Sequence, residues 1–98
     1  MDIRYSFEGL LFEWDQNKAT QNLEKHGVSF ESACEVFLDP LMRYTDTNDE
    51  DEATEAVIGE VRNGHLLFVV HIVKEEEEVI RLISARPATA REKHEYEE

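Results

Sequence analysis

A single Asn-Gly pair constrains this chain more than any other feature. Arg62-Asn63-Gly64-His65 separates two apolar runs, 56–61 and 66–73. Asn-Gly at the centre of a two-residue turn is a strong hairpin signal, because both residues tolerate positive φ. Such a turn opposes Val61 to Leu66, Gly59 to Phe68 and Val57 to Val70. With Ile72, these residues predict a wholly apolar face that must cover helices. Ile58, Glu60, His65, Leu67, Val69 and His71 then alternate onto a mixed, open face. A chain of 98 residues has room for one core around this hairpin. Residues 1–98 therefore read as one domain.

Upstream, Ile3 to Trp14 is apolar and aromatic, broken at Gly9, and predicts a short strand or two. Asp15 caps a helix whose inner face is Ala19, Leu23 and His26, and Gly27 ends it in the left-handed conformation. Ser29 caps a second helix, with Phe30, Ala33, Cys34 and Phe37 in one buried stripe. Asp39-Pro40 stops it, since proline disfavours helical geometry in the preceding residue. Leu41 to Thr45 is a candidate further strand.

Downstream of the hairpin, Val79 to Ala85 predicts a third strand. If Ile80 and Leu82 face the core, Arg81 shares the open face with Glu60 and His71. That parity requires an odd connection or a bulge, because an even loop through Glu75–Glu78 puts Arg81 on the face of Ile72. Thr89-Ala90-Arg91-Glu92 has capping-box spacing and opens a final short helix. The fold class is α+β, an antiparallel sheet with two N-terminal helices on one face and a short C-terminal helix.

The net charge of −13 is concentrated in acidic runs at 46–55 and 75–78. Between Arg81 and His94 the balance reverses, with Arg81, Arg86, Arg91 and Lys93 opposing only Glu92. Whole-chain charge argues against binding a polyanion, and the local segment argues for it. No apolar stretch reaches the ~20 residues of a membrane span. The lone Cys34 makes no internal disulfide and reads as a small core residue, so the expected compartment is the cytoplasm. Asp46-x-Asn48-x-Glu50 begins like a calcium loop. It has Asp51 where the motif needs Gly and Val57 where it needs Glu, so no metal or cofactor is expected.

Several linked segments carry a family resemblance. Phe12-Glu13-Trp14-Asp15, Lys25-His26-Gly27-Val28-Ser29-Phe30-Glu31 and Val36-Phe37-Leu38-Asp39-Pro40 form the first half. Ile80-Arg81-Leu82-Ile83-Ser84-Ala85-Arg86, Ala88-Thr89, Glu92 and Tyr96-Glu97 form the second. In order and spacing, from about Phe12 to Glu97, they resemble the BrnT toxins. The chain departs from that pattern in Pro87 and Ala90, where members carry more Lys and Arg, and in its heavier acidic runs. The resemblance implies a RelE-like fold and an RNA-cleaving activity that arrests bacterial growth. It also implies a BrnA-like ribbon-helix-helix antitoxin, through which operator DNA is reached only indirectly.

RNA cleavage without a metal needs a base for the 2′-hydroxyl, cations for the phosphorane and an acid for the leaving oxygen. Glu60 and His71 are the candidate acid–base groups. Arg81 and Arg86 are the candidate phosphate ligands, since a guanidinium keeps its charge and engages two oxygens at once. Arg91, Lys93, His94 and Tyr96 are candidate RNA contacts. Each also has a plainer reading. Glu60 is a solvated strand residue, His71 a packed core histidine, and Arg81 the partner of Glu60 in an ion pair. Tyr96 either stacks on a base or anchors the last helix, and His26 packs or caps the helix end. The alternative function is a catalytically weak module that binds antitoxin in an autorepressor.

Overall fold

Glu8 and Gly9 both take positive φ, 51° and 82°. They fold the first apolar stretch back on itself as β1 (Asp2–Phe7) and β2 (Leu10–Asp15). The computed structural model describes residues 1–47 and 49–98. β2 runs directly into α1 (Gln16–His26), where the Asp15 side chain accepts from the Lys18 N–H. The helix ends at Gly27, with φ 70°. Ser29 accepts from the Ser32 N–H and starts α2 (Phe30–Ala33), which tightens into a 3-10 turn over Cys34–Leu38 before Pro40. The remaining elements are β3 (Arg43–Thr45), β4 (Glu55–Glu60), β5 (Leu66–Lys74), β6 (Val79–Pro87) and α3 (Ala90–Glu97). Thr89 and Glu92 close a reciprocal capping box at the start of α3.

The strands form one six-stranded sheet in the order β1-β2-β6-β5-β4-β3. β2 and β6 are parallel neighbours, joined at Phe12–Ile80 and Glu13–Arg81, and the other pairs are antiparallel. The sheet is therefore mixed, where an antiparallel one was expected. β2 stops pairing after two residues, and α1 continues alongside the rest of β6.

The hairpin register differs by one residue from the expected one. Val57 pairs with Val69, Ile58 with Phe68 and Gly59 with Leu67. The Val61 N–H donates to His65 O and the Gly64 N–H to Val61 O. Arg62, Asn63 and Gly64 thus form a three-residue loop, with Gly64 alone at positive φ, 86°. Three-residue loops of this kind, closed by a left-handed glycine, are the next commonest hairpin after the two-residue turn. The slip keeps Val57, Gly59 and Val61 toward the helices but reverses β5. Leu67, Val69 and His71 lie under the helices, while Leu66, Phe68, Val70 and Ile72 line the second face.

Two apolar clusters result. On the helix side, Phe12, Trp14, Phe30, Ala33, Cys34, Val36, Val57, Leu67, Val69 and Leu82 form the main core. On the second face, Ala56, Ile58, Phe68, Val70 and Ala88 pack with Leu66, Ile83 and Tyr96. α3 covers this face over β4, and Thr45 Oγ1 donates to Glu95 at 2.9 Å. Gly59 lets the sheet approach the 3-10 turn, since a Cβ there would stand 2.8 Å from that of Val36. The stripe expected on α1 is only partly observed. Ala19 packs on the core, but Leu23 is 52% exposed and Asn22 is the buried residue.

Candidate functional site

β6 carries the candidate cations, and a bulge decides where they point. Its connection to β5 spans residues 75–78, an even loop, and Arg81 lies opposite Ile72 on the second face. Register then jumps, His71 opposite Leu82 but Val70 opposite Ser84, leaving Ile83 as the extra residue. Arg86 consequently returns to the second face, opposite Phe68. Beyond the short β2 pairing, Asn22 of α1 satisfies the freed strand edge. Its amide nitrogen donates to Ala85 O at 2.7 Å and Val28 O at 3.0 Å, and its oxygen accepts from the Ala85 N–H at 3.0 Å.

Arg81 is locked. Its Nη1 donates to Glu13 at 2.8 Å, and its two terminal nitrogens reach the Asp2 carboxylate at 3.2 Å. Glu13, 2% exposed, also accepts from Lys74 Nζ at 2.9 Å and lies 3.4 Å from Arg4. These hydrogen bonds, led by that of Lys74, hold the Glu13 carboxyl below its usual range despite burial. Glu77 extends the network to Lys74 and Arg4. Arg81 pairs with Glu13 and Asp2, where Glu60 was the anticipated partner.

Arg86 is held differently. Its guanidinium lies 4.1 Å over the Phe68 ring and donates to both Glu92 oxygens, at 2.8 and 2.9 Å. The pair lowers the Glu92 pKa and raises that of Arg86. Stacked and bidentate, Arg86 already adopts the geometry a phosphate would engage. A groove beside it is floored by Phe68, Val70, Ile83 and Ser84 and bounded by Thr47, Asp49 and Glu50.

His71 is on neither the expected face nor an accessible surface. It is fully buried, with its ring edge-on to Phe37 at 4.9 Å. Its nearest carboxylate oxygen, on Glu55, is 3.5 Å away, too far for a good hydrogen bond. Burial lowers its pKa, so the imidazole is neutral at physiological pH. Glu60 is exposed at the end of β4, its N–H donating to Asp39 at 2.8 Å. The same Asp39 oxygen accepts from the Tyr96 hydroxyl at 2.6 Å. Burial alone would raise Asp39, but the hydrogen bonds from Tyr96, Glu60 and Leu41 hold it low. Donation to Asp39 pushes the Tyr96 phenol up to about 12, so Tyr96 anchors α3 to the chain after the 3-10 turn. Arg91, Lys93 and His94 are exposed on α3. Cys34 is buried, its thiol pushed up to about 12 by desolvation, and is a core residue.

Glu13, Asp39, Asn22 and Phe68 were not foreseen as site residues. Glu13 carried a signal, a charged side chain inside an otherwise apolar strand, and Asn22, in a polar helix, carried none. Asn48 of the calcium-like spacing lies outside the described residues. Among those described, no cluster of three His, Cys, Asp or Glu is placed to hold a metal, and no helix is long and apolar enough to cross a membrane.

Comparison with known proteins gives the family. No curated protein matches the chain. Among solved structures, it is similar to the Brucella abortus ribonuclease toxin BrnT, with 27% identity and a TM-score of 0.63. That match covers 78% of this chain and 92% of the Brucella chain. A family model described as the ribonuclease toxin, BrnT, of a type II toxin-antitoxin system matches residues 14–92, most of the chain, and the protein belongs to the BrnT toxin family.

Proposed function

We propose that this chain is the endoribonuclease toxin of a type II pair, acting in the cytoplasm on the second face of a RelE-like sheet without a metal ion. Its partner is a BrnA-like ribbon-helix-helix antitoxin, and the complex reaches operator DNA through that antitoxin. The observation that carries the reading is Arg86, stacked on Phe68 and clasping a carboxylate by two oxygens beside an open groove. A phosphodiester meets the same two donors with the same single charge as Glu92, and the phosphorane formed from it carries more, so Arg86 is drawn from Glu92 as the reaction proceeds.

Cleavage then follows the ribose's own chemistry. The 2′-hydroxyl attacks the adjacent phosphorus and gives up its proton, the bond to the 5′-oxygen breaks, and that oxygen takes a proton from solvent water. The products are a 2′,3′-cyclic phosphate and a 5′-hydroxyl. Arg86 balances the charge that builds on the phosphorane. Glu60, exposed on the same sheet face at the end of β4 and lining the neighbouring groove with Asp39 and Pro40, is assigned the role of base that takes the proton. Arg91, Lys93 and His94 extend the surface along α3. His71 has no route to solvent and plays no part in this scheme, and Arg81 positions β2 against β6.

Induced expression tests the proposal. Growth should slow, and RNA should be cut in EDTA to give 5′-hydroxyl ends. Arg86→Gln should lower the cleavage rate by about 10²- to 10³-fold, as loss of a transition-state donor does. A specific observation favours the second reading, a weak catalyst that mainly binds antitoxin: Arg4, Lys74, Arg81 and Arg86 are each paired with carboxylates of the same chain. Intact RNA and normal growth, with folded toxin confirmed, would decide for it.

A further inference from the structure

Only four lysines occur in this acidic chain, and two of them, Lys18 and Lys25, line one groove. They are seven residues apart on α1, two helical turns, and so share a side of the helix about 10 Å apart along its axis. His26 and Gln21 stand with them, Ile83 and Ser84 form the opposite wall, and no carboxylate lines the groove. The two residues of β6 at the bulge, Ile83 and Ser84, also floor the groove beside Arg86. Bulges re-aim side chains next to functional sites, and here the residues at the bulge line both grooves, so a strand passing from one to the other crosses them. The path starts at Arg86 and Phe68, crosses Ser84 and ends along Lys18 and Lys25. Its opposite bank, at Asp49 and Glu50, is acidic.

We infer that this α1 wall is an RNA-backbone site, in which Lys18 and Lys25 hold phosphates of the single strand flanking the one at Arg86, with Ser84 and Gln21 as hydrogen-bonding partners. The inference rests on the proposed RNA substrate and adds the direction of the strand. A polyanion leaves Arg86 toward α1, because the acidic bank repels it on the other side. Both lysine ammoniums are on exposed residues outside the Glu13 network, so they are available as point charges for phosphate. Two of the cations that have no carboxylate partner among the described residues are thereby set along one groove.

The test is affinity for a fluorescent single-stranded oligoribonucleotide carrying 2′-O-methyl groups, which blocks cleavage and isolates binding. The full chain is compared with Lys18→Gln/Lys25→Gln, Lys18→Glu/Lys25→Glu and Arg62→Glu. The last changes net charge at the β4–β5 turn, away from the groove. Charge reversal at both lysines should weaken binding at least tenfold at low salt, while Arg62→Glu should change it less than threefold. The Gln pair should lower the slope of log affinity against log salt by about 1.4, two phosphates at ~0.7 each. Thermal unfolding checks that each variant is folded. Wild-type binding with unchanged affinity in both lysine pairs overturns the inference and leaves the proposed function standing. Loss of antitoxin capture with RNA affinity retained also overturns it, assigning the wall to the protein partner. A wild-type chain that binds no RNA removes the proposed function and this inference together.

Discussion

Arg81 and Glu13 sit side by side on the two parallel strands of the sheet, joined by a 2.8 Å hydrogen bond from guanidinium to carboxylate. Lys74 reaches the same oxygen and Arg4 the other, so one buried carboxylate gathers cations from three further strands. A residue that reads as a phosphate ligand is thereby committed to structure. Buried charges need such partners, and removing Glu13 leaves its cations only the more exposed carboxylates of Asp2 and Glu77.

Glu13→Gln should therefore destabilise the fold by about 3 kcal/mol near pH 7, the low end for breaking a buried pair, because the cations reach solvent. The pH dependence follows from the lowered carboxyl. Its ordinary value is 4.5, and the native value lies below that. Glu13 thus contributes stability above pH 4.5, and the contribution is lost as pH falls through the native value. Denaturant unfolding of wild type and Glu13→Gln should show a gap at neutral pH that closes in acid. A gap independent of pH would mean that shape, and not charge, is what Glu13 supplies.

The Asn22 amide makes three hydrogen bonds to backbone groups of Val28 and Ala85. Asn22→Ala leaves all three without their partner and should cost about 2–3 kcal/mol. Asn22→Asp should be comparably harmful at neutral pH, since it aims a buried charge at two carbonyl oxygens. Protonation restores one donor, so the Asp variant should recover stability toward low pH while the Ala variant does not. Matched chemical-denaturation curves at pH 7 and pH 5 measure the difference.

The helix boundaries were legible because local chemistry sets them: Asp15, Gly27, Ser29 and Thr89 each act within three or four residues of sequence. The hairpin register was not. Both faces of β5 are apolar, Leu66-Phe68-Val70-Ile72 against Leu67-Val69-His71-Val73, so alternation could not say which one meets the helices. The choice is made at the turn, where Gly64 takes the left-handed conformation and closes a three-residue loop in place of the two-residue turn that Asn-Gly favours. That one-residue slip buried His71 and removed it from the surface on which it was expected. Arg86 was legible as a cation on β6, but its stacking on Phe68 depends on the same register. The parallel pairing of β2 with β6 had no local signature, and with it the partners of Arg81 were hidden.

Glu92 occupies both oxygens on the Arg86 guanidinium and also caps α3 through the Thr89 N–H. Glu92→Gln separates these roles, because the amide oxygen still accepts the cap hydrogen bond while the charge is gone. RNA affinity should rise several-fold at low salt as Arg86 becomes available. α3 should lose about 0.3–1 kcal/mol of favourable interaction with its dipole. Oligoribonucleotide binding and thermal unfolding report the two effects separately. Weaker RNA binding in this variant would show that Glu92 orients Arg86 for phosphate instead of masking it.

Asp49 and Glu50 bound the groove that Arg86 opens onto. Their charges sit near any phosphate held there, and each repels it. Asp49 also accepts the Asp51 N–H through Oδ1 at 2.9 Å, a turn contact that Asn preserves. Asp49→Asn/Glu50→Gln should therefore leave the fold unchanged and raise RNA affinity. Exposed charges are screened beyond about 10 Å at 0.1 M salt and about 3 Å at 1 M. The gain should consequently be greatest at low salt and vanish near 1 M. Cleavage should rise in parallel, since the same repulsion opposes the charge of the phosphorane. An affinity unaltered at low salt would place the RNA path away from this bank, and a gain that persists at 1 M salt would trace to loop shape and not to charge.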